Sequence, residues 1–399
     1  MRQANVYWGL IATLLGAVTL GAEETKSRWW NDGVQASLES AGDNSAQLET
    51  ALRDCPSAQR DGMGFLIEHM PQRDRRSLSA QYLLDNCRLA YLARGEVTWG
   101  EQIPESIFVN DVLPYANIDE TRDDWRNRYH ERFLAIARKC QRPGEAAHEL
   151  NKAVFPQLGV RYSTKRRRAN QSPGESEEIG LASCTGLSII LVDACRSVGI
   201  PARLTGTALW ANKRGNHTWV EVWDDGWHFV GAAEPSSHGL NHAWFTGDAS
   251  QAQKDVYEHA IFSVSYRKTA TPFPLVWAMR DRTVSAVNVT DRYVRREAVP
   301  ADQTRLMVRV WNPTHTERLA VPVTVLDKES GKLLRGVSHS ENQDTNDILA
   351  FVLPQQRQYV IHVGQGPHAQ ALTFDSGTMA EKILEVDFVP SKEAGASSE

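Results

Sequence analysis

The chain has little charge of either sign in excess: 44 Lys and Arg stand against 49 Asp and Glu, a formal net charge of −5. A mildly acidic chain offers no electrostatic footprint for nucleic acid, so no nucleic-acid partner is expected. The one basic run, Lys165-Arg166-Arg167-Arg168, reads as a solvated loop in preference to a rim for an anionic substrate. The sequence has no internal repeat and no cysteine before Cys55, which excludes a lipid-modified cysteine near the start. Only five cysteines are present, Cys55, Cys87, Cys140, Cys184 and Cys195. An odd number leaves at least one thiol unpaired, or paired between chains, in an oxidising compartment. Long apolar runs are scarce as well: the longest, Val6 to Leu20, is short for a stable membrane span.

That run follows Arg2 and ends in Gly21-Ala22 before Glu23-Glu24, the layout of a secretory signal peptide. Export to the periplasm or medium is expected, with cleavage near Ala22 and no membrane span afterwards. Losing Arg2 moves the net charge from −5 to −6. At 399 residues, 41% of them hydrophobic, the chain is long enough for two to three globular domains. The expected order is a signal peptide (1–22), a helical N-terminal region (23–145), an α+β core (146–300), a β-sandwich (301–390) and a disordered tail (391–399).

Leu48, Leu52, Leu83-Leu84, Leu89 to Leu92 and Phe133-Leu134-Ile136 recur at helical spacing before Ala153, with Pro71, Pro104 and Pro114 as breaks. A further helix is predicted over Ala146 to Phe155, then a short strand at Val160 to Tyr162 and a polar loop from Gln171 to Glu178. Another helix starts at or just before Cys184. Strands are predicted over Ala202 to Trp210, His217 to Trp223 and Trp227 to Val230. From Thr304 short alternating runs such as Leu306-Val308-Val310 and Tyr359-Ile361-Val363 mark the sandwich.

Leu187, Ile190, Leu191, Ala194, Cys195 and Val198 form one helix face, closed by Gly199 before Pro201. Cys184 and Cys195 lie about 16 Å apart along that helix, so they cannot bridge each other. Cys55, Cys87 and Cys140 could supply one disulfide, with the pair left open. Cys184 stands in the first turn, where free N–H groups and the helix dipole favour an anion. Such a setting, with a neighbouring imidazolium, lowers a thiol from ~8.5 to roughly 3.5–7.5 and yields a thiolate nucleophile. The small neighbours Ala182, Ser183, Thr185 and Gly186 leave room for a carbonyl. His217 opens a strand whose aliphatic residues, Val220 and Val222, face the other way; it is the candidate general base and acid. If Asp225-Gly226 is a two-residue turn, His217 falls opposite Glu234, the candidate orienter of the imidazole; a one-residue bulge would place Ala233 there instead. His238 and His242 have helical zinc-ligand spacing, but with Gly239 between them and no third ligand nearby no metal is expected. Trp210, before His217, could wall an acyl site.

A Cys-x-Gly-x-Ser helix start at Cys184, then Gly-Ile-Pro-Ala-Arg at Gly199 to Arg203, then His-x-Trp-Val-Glu-Val at His217 to Val222, resembles the transglutaminase-like superfamily over about Ala146 to Phe245. The resemblance implies a papain-like α+β core using a Cys-His-Asp triad, with Cys184 as nucleophile and His217 as base. The family's aspartate falls near Gly231, which cannot serve, leaving Glu234 to substitute. Thiolate attack on a peptide, isopeptide or glutamine carboxamide is implied, with hydrolysis preferred over amine transfer, a peptide or protein substrate, and no metal or organic cofactor. The alternative is a non-catalytic binding or scaffold protein with a degenerate core. Nothing in the sequence speaks to oligomeric state.

Overall fold

The structure is a computed structural model that describes residue 1 and residues 28–294, 300–366 and 369–389. Nearly all of the expected signal peptide and the whole tail, 391–399, lie outside the described residues. The N-terminal region is helical, with α1 (Asp32–Glu39), α2 (Ser45–Asp54), α3 (Arg60–His69), α4 (Gln72–Arg75), α5 (Ala80–Gly95), α6 (Glu105–Asp111) and α7 (Trp125–Ala137). Then follow α8 (Pro143–Leu158), β1 (Arg161–Tyr162), α9 (Pro173–Ile179), β2 (Leu181–Ala182) and α10 (Cys184–Ser197).

The polar stretch read as a loop after Gln171 contains α9 instead. Ser172 caps it, Pro173 occupies its first turn, Glu175 completes a capping box, and left-handed Gly180 (φ 67°) closes it. The Pro-Gly pair marks a helix start here, because proline at the first position loses only an N–H that has no partner anyway.

An antiparallel sheet packs against α10 in the order β5-β4-β3-β6-β7. Its strands are β3 (Ala202–Thr207), β4 (His217–Trp223), β5 (Trp227–Val230), β6 (Phe262–Val264) and β7 (Ala286–Asn288). The short helices α11 (Thr246–Ala249) and α12 (Asp291–Val294) flank it. Every residue of α10 from Thr185 to Ser197 is buried, so it is a central helix and not the amphipathic one its apolar stripe predicts. The N-terminal helices cover its second face. One continuous apolar cluster runs from Trp30 in the N-terminal region through Leu187, Ile190 and Leu191 to Val220 and Val222 of β4. Each such aliphatic side chain contributes about 1.5–3 kcal/mol by leaving water.

The C-terminal strands form two sheets around a separate apolar cluster that includes Val308, Val323, Ile361 and Val386. One sheet has the order β10-β9-β12-β13 and the other β11-β8-β14. They comprise β8 (Gln303–Trp311), β9 (Pro322–Asp327), β10 (Leu333–Val337), β11 (Leu349–Pro354), β12 (Gln358–Val363), β13 (Gln370–Asp375) and β14 (Glu381–Asp387). β10 and β13 have no counterpart among the expected strands; β10 is largely solvated, with Gly336 inside it. No helix among the described residues is long and apolar enough to cross a membrane.

Candidate active site

Ser183 caps α10, its Oγ accepting the Gly186 N–H at 3.1 Å and donating to Ala169 O at 2.6 Å. This fixes Cys184 as the first helical residue. Thr185 and Ser188 hold the helix to β4, bonding Thr218 Oγ1 at 3.0 Å and Thr218 O at 3.1 Å. The helix start is thereby tied beside His217, the first residue of β4. His217 is only 2% exposed, with its ring 4.7 Å from Trp244, 5.0 Å from Phe245 and 5.8 Å from Trp219 between centroids.

The structure therefore brings Cys184 and His217 together, but the carboxylate beside them is Asp344. Ligand-type atoms of Cys184, His217 and Asp344 all lie within 4.8 Å of one another. Asp344 Oδ2 stands 3.5 Å from His217 Nδ1, an ion-pair separation longer than a good hydrogen bond. Asp344 is 2% exposed and belongs to the loop between β10 and β11 of the sandwich. That loop is pinned from both sides. Arg318 donates to Gln343 O and Asp347 O, and His339 meets Asp347 at 3.0 Å. Across the junction Asn346 Nδ2 donates to Asn216 O at 2.9 Å, next to His217, and Thr345 Oγ1 meets Tyr162 Oη at 2.9 Å.

Glu234 does not pair with His217. Three residues, Asp224 to Gly226, make the turn: Trp223 pairs with Trp227 and Val220 with Val230. The register is one residue off the two-residue expectation, and β5 ends at Val230, before any partner for His217. Beyond it Glu234 folds back to bridge Gly231, and its Oε2 accepts the Trp244 indole N–H at 2.8 Å. A Cβ at position 231 would collide with Glu234 Oε2, so the family's usual aspartate position is occupied in space as well as lacking a side chain. Asn151 of α8 clamps this segment, donating to Gly231 O at 2.8 Å and accepting Ala233 N–H at 2.9 Å. The remaining nearby acids are committed elsewhere: Asp224 and Asp225 pair with Arg142, and Asp248 with Arg214 and Arg305.

Electrostatics separate the acids. Burial first, and then the charge of Asp344, push the Cys184 thiol well above its ordinary range, against a hydrogen bond from the Thr218 main chain. The helix start by itself favours a thiolate, but the negative charge of Asp344 beside the half-buried Cys184 opposes it. Burial also opposes the charge of Asp344, but His217, the Asn346 N–H and the Cys184 thiol outweigh it and hold that carboxyl below its usual value. Glu234 is driven well above the carboxylate range by burial and by Asp347 and Asp344. It lines an open cleft of about 550 Å³ with Phe155, Val160, Tyr162, Leu187 and Pro235. Trp210, 1% exposed with its ring 6.2 Å from His217, has a buried indole N–H without an acceptor. The S, N and O donors of Cys184, His217 and Asp344 also match what a zinc ion accepts. Cys55, Cys87 and Cys140, the three cysteines that could have supplied a disulfide, are all buried free thiols.

A cysteine at a helix start, a histidine at a strand start and a carboxylate beside the imidazole thus stand together in an α+β fold. Residues 133–232 match the profile of the Transglutaminase-like superfamily, so the chain carries a transglutaminase-like core. Cys184 and His217 lie inside that segment and Asp344 outside it. No curated protein matches the chain. Among solved structures, a candidate cysteine protease from Cytophaga hutchinsonii is 16% identical, TM-score 0.28, over 48% of this chain and 66% of that one. Red sea bream transglutaminase is 9% identical, TM-score 0.31, over 70% and 65%. A C-terminal fragment of the pilus adhesin SpaC from Lactobacillus rhamnosus GG is 10% identical, TM-score 0.17, over 49% and 82%. The chain thus spans just under two thirds of the length of each of the first two.

Proposed function

We propose that this protein is an exported cysteine acyl-transfer enzyme of transglutaminase-like type that hydrolyses a peptide, isopeptide or glutamine carboxamide bond. The observation that carries this reading is the convergence of Cys184, His217 and Asp344. His217 takes the thiol proton as sulfur attacks the carbonyl carbon. The tetrahedral intermediate collapses to a thioester when the C–N bond breaks, and the imidazolium gives its proton to the departing amine. Water, deprotonated by His217, then attacks the thioester and releases the acid and the thiol. Asp344 orients the imidazole and stabilises its charged form. A raised thiol favours proton removal by His217 within the attack step. The free N–H groups at the start of α10 and the unpaired Trp210 indole are donors for the oxyanion. The cleft beside Glu234 receives the acyl portion, its apolar walls holding a side chain.

The test is turnover of a peptide library by the wild type, Cys184→Ala, His217→Ala and Asp344→Asn. Cleavage or ammonia release is expected only with both Cys184 and His217 present, and Asp344→Asn should lower kcat by roughly 10²–10⁴. Turnover that survives Cys184→Ala, or a wild type inert toward every amide offered, overturns the reading.

A further inference from the structure

A second cleft, about 350 Å³ in volume, lies between the α3–α4 corner and the segments 265–269 and 282–285. It is remote from Cys184: its residue Asn117 touches α10 at Asp193, about 14 Å along the helix from the nucleophile. In a chain with more acidic than basic residues, this lining holds Arg75, Arg122, Lys268 and Arg282 and no Asp or Glu. Arg122 is neutralised by Asp74 at 3.0 Å and Glu120 at 3.4 Å.

The other three cations have no carboxylate partner among the described residues. Arg75 donates to Ser40 Oγ, Gln72 Oε1 and Glu68 O; Lys268 donates to Glu68 O at 2.9 Å; and the Arg282 guanidinium stands 5.7 Å from the Tyr257 ring centroid. Glu68 is felt electrostatically at Lys268 and His69, but its carboxylate lies outside the lining and accepts a hydrogen bond from Asn31. The basic run at 165–168 is different, since Lys165, Arg167 and Arg168 each face a glutamate there. The charge of Arg75 is felt at Lys268 and opposes its protonated form, so the cations crowd one another.

Residues of the lining carry unmet polar capacity. Asn117, 5% exposed, gives Nδ2 to Asp193 at 2.9 Å and leaves Oδ1 buried without a donor. Arg75 Nε and His69 Nδ1 are also buried and unpartnered. Buried polar atoms are ordinarily paired, and like charges gather where an anion offsets them. The volume is that of a small-ligand site.

We propose that this cleft binds a small oxyanion that also carries a hydroxyl group, its anionic oxygens meeting Arg75, Lys268 and Arg282 and its hydroxyl donating to Asn117 Oδ1. A polyol phosphate monoester and a hydroxycarboxylate share that chemistry. Calorimetry and thermal unfolding with glycerol 3-phosphate and with malate, against sodium chloride at equal ionic strength, test it and separate the two. At least one compound should bind the wild type and raise its melting temperature. Both Lys268 and Arg282 are exposed, so the double substitution Lys268→Gln, Arg282→Gln should leave the fold intact and weaken binding about tenfold or more. The counterparts without a hydroxyl, methyl phosphate and succinate, should bind more weakly than the compounds they mimic. No shift beyond that of sodium chloride, or undiminished binding by the double variant, overturns the site; equal binding of the counterpart overturns the role of Asn117.

Discussion

Asp344 pulls two observables in opposite directions. Its negative charge raises the Cys184 thiol, while under the proposed chemistry its contact with His217 supports the base. Because a raised acid pKa leaves less thiolate at any given pH, alkylation of Cys184 by iodoacetamide should keep accelerating as the pH passes ~8.5, the ordinary thiol value, with no plateau near pH 6. Asp344→Asn removes the charge, so labelling at a fixed pH should become faster even as amide turnover falls. Mass spectrometry of labelled Cys184 against pH measures the first quantity. Slower labelling in Asp344→Asn would show that the carboxylate does not set the thiol's acidity. Cys184 and His217 were legible in the sequence because both sit at element boundaries with small or aromatic neighbours that mark them. Asp344 was not, since no local pattern in Gln343-Asp344-Thr345-Asn346-Asp347 distinguishes it from an ordinary polar loop. With a carboxylate present beside His217, the scaffold reading loses the ground that Gly231 gave it.

At the level of elements, β4 carries the site on one residue and its foundation on another. Glu221, four residues after His217, is 2% exposed and accepts from Arg203 Nη2 at 2.7 Å, Ser263 Oγ at 2.8 Å, Tyr293 Oη at 2.9 Å and Arg292 Nη1 at 3.0 Å. Removing the shared acceptor leaves a buried guanidinium unpaired. Glu221→Ala should therefore cost about 3–5 kcal/mol in urea unfolding; a loss below ~1 kcal/mol would mean that water or another acid takes its place. The alternation His217, Trp219, Glu221 against Val220, Val222 made this strand readable, whereas the hairpin register was not. One residue in the turn decides which side chain lies opposite which, and Asp225 adopts a left-handed φ of 56° that a two-residue Asp-Gly reading does not separate from a three-residue one. α9 was missed for the converse reason: its Pro and Gly are helix-start residues in that context.

For the whole molecule, the sandwich is part of the site and not an appendage. Its β8 and β14 meet the core through Arg305 and Glu381, which join Arg214 and Asp248; Arg305 Nη1 stands 3.0 Å from Asp248 Oδ1. Arg305→Gln should loosen this junction and displace the loop that carries Asp344. We expect turnover lower by roughly 10–100-fold, with an unchanged far-ultraviolet circular dichroism spectrum, since small misplacements of reacting groups are that costly. Unchanged turnover would assign the whole task to the Asn346 and Tyr162 contacts. The sandwich itself was visible in the sequence as alternating runs; its contact with the core was not, because docking depends on loop residues that carry no periodicity.

The separation of Asp344 from His217 along the chain also imposes an order in time. Asp344 comes 127 residues after His217, and β14, which pairs with β8 to complete its sheet, ends only at Asp387. A polypeptide emerging N-terminus first can form the cysteine helix and the histidine strand well before the orienting carboxylate exists in folded form. Under the proposed chemistry, amide turnover reaches its full rate only once the last strands are in place, and a half-made chain meets its neighbours with that rate still lower by roughly 10²–10⁴.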